Sequence, residues 1–322
     1  MAIDTVYKSI TRGVAVQDEH IIKERLQNGL PLKGFWAGVE TTVYYADTYA
    51  FLVNHDVSIE RVAYRTKYYQ FLITAILNSL GVPKSKISFV TESESFTYNP
   101  EFIKKEHQLS VLASQAGIKA CGNEIDETPC FSPMLCPGRQ ALAEAFLGVH
   151  FQLGGEDQRG MFNFGNSVLP RLGFEQKAHL VNPLLPALSG SKMSSSKAAS
   201  TKIEFLDSAD DVTQKIMGCV YDESQLEGSG LLAMVQMVII PFTRVSASLG
   251  IKRGFSCLLV NGEKKTYRLY DDFFSDCKKG RVSGDGIKAG VAEMINHILE
   301  PIRQSYASNK EWQDVTDLAY PC

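Results

Sequence analysis

The segment Gly190-Ser191-Lys192-Met193-Ser194-Ser195-Ser196-Lys197 gathers two ammonium groups, several hydroxyls and a glycine into one short stretch. Such donors suit charge stabilisation at a polyphosphate or an RNA 3′ end, with Lys192, Met193, Ser194, Ser195 and Ser196 as the contact residues. The same composition also makes a plain solvated linker. Upstream, Gln152-Leu153-Gly154-Gly155-Glu156-Asp157-Gln158-Arg159 follows a short apolar run. Paired glycines at a strand end let a ligand approach the backbone. Gln152, Asp157 and Gln158 then offer polar groups at the carboxyl edge of a parallel sheet, where open α/β sheets bind ligands.

The elements that would position these groups follow from periodicity. Residues 39–53 are rich in β-branched and aromatic side chains, which fits a buried strand entering a loop or helix. Residues 59–80 read as an amphipathic helix closed by Gly81 and Pro83, and Ile87, Phe89 and Val90 mark another strand. This βαβ rhythm predicts a parallel sheet. Residues 1–30 carry apolar positions at helical spacing (Ile10, Val14, Ile21, Ile22, Leu26), with Gly29 as the stop. Residues 103–120 and 137–148 are also helical in period, and 149–153 is a strand ending at Gly154-Gly155. The stretch 186–200 is a loop, after which the chain is mostly helical. A domain boundary is expected near residue 205.

Composition sets the outer bounds. The chain has 322 residues, 44% hydrophobic and 21% charged, which excludes a disordered chain or a disulfide scaffold. With a net charge of −3, nucleic-acid contact has to come from a local patch, and DNA is not an expected partner. The start lacks a basic-then-apolar signal and no run of about 18 apolar residues is uninterrupted, so a cytoplasmic protein without a membrane partner is expected. Seven cysteines without a C-x-x-C spacing read as buried thiols, with neither zinc nor disulfides.

Together the two motifs resemble those of class I aminoacyl-tRNA synthetases, specifically the eukaryotic and archaeal tyrosyl branch. The resemblance extends through Ala46-Asp47, Tyr68-Tyr69, Cys136-Pro137-Gly138-Arg139-Gln140-Ala141-Leu142, His179-Leu180-Val181-Asn182-Pro183, Glu300-Pro301-Ile302-Arg303 and Ala319-Tyr320-Pro321. It covers nearly the whole chain, and its C-terminal part is most similar to fungal cytosolic enzymes. It implies an α/β fold: a Rossmann-like parallel-sheet catalytic domain over 1–205, followed by a helical anticodon-binding-like domain over 206–322. A homodimer is also implied, with Ile125, Phe131, Met134 and Leu135 as apolar interface contacts.

Three departures from the family pattern bear on function. The His-x-Gly-His motif that grips ATP has no counterpart: no two of the six histidines lie three apart, and a block is missing near residue 38. Adenylate formation is therefore expected to be badly impaired. Where the family has Tyr, Gln and Asp on one helix face, this chain has Cys136, Gln140 and Ala143. Only the amide remains to hold a substrate phenol, so selectivity for tyrosine should be lost. Asp285 matches an anticodon-contacting acid, but no Trp precedes Lys265-Thr266-Tyr267 to stack a base. Asp285 fits a helix N-cap equally well.

Three functions compete: a tyrosine–tRNA ligase using ATP and Mg, an ATP-independent enzyme acting on ready-made aminoacyl-tRNA, and a silent tRNA-binding paralogue. The second accounts for both the losses and the retained motifs, because an aminoacyl ester is already activated. Cyclodipeptide synthases are similar to the tyrosyl catalytic domain, and this chain is a candidate for the arginine-containing cyclodipeptide synthases of fungal secondary metabolism. No cofactor is then expected. The nucleophilic serine of the bacterial members has no counterpart in residues 34–38, which leaves Thr41, Thr42 and Cys136 as candidate catalytic groups. The pocket is assigned to Gln140, Gln152, Gly154, Gly155, Glu156, Asp157 and Gln158. Glu156 and Asp157 would fork a guanidinium; alternatively, Asp157 keeps its family role and Glu156 faces solvent.

Overall fold

The computed structural model describes residues 3–30, 32–33, 41–54, 56–188, 190, 202–248, 250 and 254–321. Lys192 to Ser196 and the segment 34–40 lie outside the described residues. The fold is mixed α/β with a Rossmann-like parallel sheet and a helical C-terminal region. The chain forms two compact units: Met1–Tyr68 with Pro83–Pro183 and Val315–Cys322, and Tyr69–Val82 with Leu184–Asp314. The second unit thus takes up Tyr69–Val82 before it resumes at Leu184.

Among the described residues the first unit carries five strands: β1 (Ala15–Gln17), β2 (Thr41–Tyr45), β3 (Ile87–Thr91), β4 (Phe151–Gly155) and β5 (Ala178–Asn182). β2 and β3 pair in parallel, with Tyr44 opposite Val90. β4 runs parallel to β5, with Gln152 opposite His179, and β1 closes the other edge of β5 antiparallel. Side chains alternate across a strand. Phe151, Ala178 and Leu180, all 0% exposed, pack with Ile10 and Ile22 on one side. That alternation turns Gln152, Gly154 and His179 to the opposite face.

Over that face lie the helices Cys136–Phe146 and Arg159–Val168, which pack on each other and share a core with the Pro100–Leu112 helix. Phe102, Leu109, Leu142, Phe164 and Leu169 form its centre. Burying each such side chain contributes about 1.5–3 kcal/mol. Gly160 is required in this packing, since a Cβ there would lie 2.3 Å from the Cys121 carbonyl oxygen.

In the second unit, the long helix Gly284–Ala307 packs against the helix Ala209–Met217, which starts at a Ser208/Asp211 capping box. Gly230–Ala247 is long and apolar enough to cross a membrane, with a mean hydropathy of 1.5. Leu231, Val235 and Ile239 are nevertheless fully buried within the unit, as in a core helix. Its ladder widens to a π turn over Val235–Ile239, just before Pro241, which has no N–H to donate.

Several expectations needed correction. The N-terminal helix is two helices, Ile3–Ile10 and Glu19–Gln27, because Gly13 (φ +78°) turns the chain into β1. The 103–120 helix breaks at Ala113, and β5 was not anticipated. The expected helical tail contains an antiparallel hairpin, β6 (Phe255–Leu258) and β7 (Lys264–Tyr267). Ile125 is 1% exposed within the core and so is not an interface residue, whereas Phe131 is 72% exposed.

Candidate functional site: a pocket at the strand ends

The loop after β4 carries the predicted polar residues. A 3₁₀ turn over Glu156–Gln158 leads into the Arg159–Val168 helix. Gly154 has no room for a side chain, because a Cβ would lie 2.6 Å from Phe162 Cζ. Gln140, from the Cys136–Phe146 helix, donates its amide to Gln158 Oε1 at 3.4 Å. These two predicted residues therefore meet. Glu156 does not join them: it is exposed and forms an ion pair with Arg159 Nε. Asp157 is exposed as well. The proposed guanidinium fork is thus half engaged elsewhere.

The candidate nucleophiles are poorly placed for attack. Cys136 is fully buried, and burial, with Glu92 nearby, pushes its thiol up to about 12, the opposite of what a thiolate needs. Thr42 Oγ1 shares a hydrogen bond with Ser88 Oγ at 2.9 Å across β2 and β3, and Thr41 sits at the first position of β2. Asp285 is exposed in the first turn of its helix; Ser283 is the N-cap, accepting from the Gly286 N–H at 3.0 Å, so the capping alternative for Asp285 falls.

The structure adds groups that the sequence reading missed. A cavity of about 20 Å3 is lined by Tyr44, Gln140, Ala143, Glu144, Leu147, Val149 and Gln152. Glu144 faces buried His179, whose Nε2 is 3.2 and 3.3 Å from the two carboxylate oxygens. Among the described residues, Gln152 Oε1 and His179 Nδ1 are buried without hydrogen-bond partners, and the buried Tyr44 hydroxyl faces Glu92. Beside them, buried Glu92 accepts from Arg139 Nε at 2.6 Å, and Arg139 also reaches Glu106 at 2.8 Å. Burial raises the Glu92 pKa against the pull of Arg139. Burial, together with nearby Glu92, also raises that of Tyr44.

Asp47 accepts from the backbone N–H groups of Thr48 and Ser93, each at 2.9 Å, and from the Ser93 hydroxyl. It thereby ties the carboxyl ends of β2 and β3 together. Among the described residues, no group of three His, Cys, Asp or Glu side chains could hold a metal ion. One signal for the missed groups was legible: Glu144 is an acid inside the apolar run Ala141-Leu142-Ala143-Glu144-Ala145-Phe146.

This framework is a known one. Residues 26–300 match the family described as tRNA synthetases class I (W and Y). The chain belongs to that family. Within it, the chain is 38% identical over 293 residues to the cytoplasmic tyrosine–tRNA ligase of Saccharomyces cerevisiae, covering 88% of this chain and 73% of that one. The Gallus gallus cytoplasmic tyrosine–tRNA ligase is 35% identical, over 88% of this chain and 53% of its own length. The tyrosyl-tRNA synthetase structure from Aeropyrum pernix superposes with a TM-score of 0.82 at 20% identity, covering 98% of both chains. That from Pyrococcus horikoshii reaches 0.85 at 17% identity, over 98% of this chain and 99% of that one. The structures speak for the fold. As a class I synthetase relative of the tyrosyl type, the protein is favoured by these comparisons for the ligase reading over the cyclodipeptide reading put first from the sequence.

Proposed function

We propose that this synthetase relative acts on the aminoacyl end of a charged tRNA, does not select tyrosine, and joins two aminoacyl residues into a cyclic dipeptide. The observation that carries the loss of tyrosine selectivity is the cavity beside Gln140, Ala143 and Gln152: at about 20 Å3 it has room for one water, far below the roughly 300–1,000 Å3 of small-molecule sites. The absence of two histidines three apart in the sequence supports the same reading. In the reaction, the amino group of one aminoacyl ester attacks the carbonyl of the other and releases a tRNA 3′ hydroxyl. A second attack closes the ring and releases the second tRNA. Two amides replace two esters, and no ATP is consumed. Lys192 to Ser196 are the proposed 3′-end loop, with the pocket as assigned above; the amino acids joined include arginine under this reading.

The second reading is a tyrosine–tRNA ligase, using ATP and Mg, and family membership favours it. Tyrosine-dependent ATP–pyrophosphate exchange separates the two. Exchange above background supports the ligase; its absence, together with cyclic dipeptides detected by mass spectrometry after heterologous expression, supports the transfer enzyme. The cytoplasmic names of the relatives support a cytoplasmic location. A homodimer is proposed with Phe131 at the contact, and sedimentation at micromolar concentration as a monomer would exclude it.

A further inference from the structure

We propose that Tyr44 decides which side chains enter the amino-acid pocket, its own phenol standing where a substrate ring would go; this deepens the reading above and rests on it. Tyr44 is on β2 and lines the small cavity with Gln140, Ala143, Glu144 and Gln152. Ala143 leaves space on the helix side, yet only about 20 Å3 stays open, because Tyr44 reaches in from the strand side.

One polar atom beside this space is unspent. Among the described residues Gln152 Oε1 is buried with no hydrogen-bond partner and Gln140 reaches Gln158 at 3.4 Å, while the Tyr44 hydroxyl faces the Glu92 carboxylate. Buried polar atoms are nearly always paired. The pairing of Gln152 Oε1 is left to a ligand atom that the Tyr44 ring keeps out. The pocket thus has the acceptors and donors of a binding site but is filled from within, and an aromatic amino acid competes with Tyr44 for the same volume.

The test is calorimetric titration of the full chain with L-tyrosine and with L-phenylalanine, without ATP or tRNA. The wild-type protein is expected to give no binding heat up to millimolar ligand, and Tyr44→Phe, which keeps the ring, should match it. Tyr44→Ala is expected to gain binding of at least one ligand by tenfold or more. Tyr44→Leu, which keeps part of the apolar volume, serves where a thermal melt shows the alanine variant unfolded. Tyrosine binding by the wild type would overturn both this inference and the loss of tyrosine selectivity. A folded Ala or Leu variant without gained binding would overturn the role of Tyr44 alone and leave the transfer reaction standing.

Discussion

His179 lies flat against Phe162, with ring centroids 4.0 Å apart and planes 12° from parallel. Its Nε2 faces Glu144, so one acid and one aromatic ring fix the imidazole between the sheet and the helix above it. Nδ1 has no partner, and losing Glu144 leaves both ring nitrogens bare in the core. Glu144→Ala is therefore expected to cost about 2–4 kcal/mol of stability, and Glu144→Gln, which keeps a hydrogen-bonding end, about half as much. Urea denaturation of the two variants checks this; equal losses would show that the side-chain end does not hold the ring.

Two glycines in the same region should differ in their tolerance of a methyl group. At Gly160 the obstacle is the backbone carbonyl of Cys121, at Gly154 the tip of the Phe162 ring. A side chain can yield where a backbone cannot. Gly160→Ala is expected to cost about 3 kcal/mol or more, and Gly154→Ala about 1–2 kcal/mol. Thermal melts of the purified variants rank them, and the reverse order would contradict this packing.

Arg139 neutralises Glu92, whose side chain is 2% exposed. In Arg139→Met the carboxylate keeps its buried position without a counter-charge, at a cost of about 3–5 kcal/mol at pH 7. The Glu92 pKa is already raised by burial, and removal of the guanidinium raises it further. The variant's folded state then binds a proton more readily than its unfolded state, so its deficit should shrink as the pH falls from 7 to 5. Urea titrations at both values measure it, and a deficit independent of pH would exclude Glu92 as its source.

His150 titrates in the opposite sense. Burial, together with Arg25, Lys177 and Lys33 against the weaker pull of Glu175, lowers its pKa from 6.5 to about 4. Its Nδ1 accepts the Lys33 N–H at 3.0 Å, which requires the unprotonated nitrogen. Between those two pKa values the unfolded chain holds the extra proton. Stability is complete above 6.5 and is lost as the pH falls towards 4, by on the order of 2 kcal/mol once solvent screening is allowed for. His150→Asn should flatten that part of the stability profile, and an unchanged slope would place the titration elsewhere.

What could be read in the sequence divides along physical lines. The parallel β2–β3 pair, the Ile59–Ser79 helix and the Cys136–Phe146 helix follow from local composition and periodicity. β1 and β5 escaped, being short strands whose pairing is set by partners far along the chain. The hairpin β6–β7 carries its own sequence signal: Asn261-Gly262 is a strong turn dipeptide, and Gly262 has φ +84°. In the site, the Gln140–Gln158 contact joins residues from two recognised motifs. Tyr44 and Glu144 carried no motif, and only the packing of distant segments brings them to one cavity.

The strands that line this cavity belong to two hydrogen-bonded sheets, β2–β3 and β1–β5–β4, with no ladder between them among the described residues. Tyr44 rides on the first and Gln152 on the second. Each ladder can open without tearing the other, so their amides should exchange deuterium at two distinct rates. A bound molecule touching both side chains would act as a clasp, and protection should then rise on both sheets at once, from Val43 and Val90 as well as from Leu153 and Leu180.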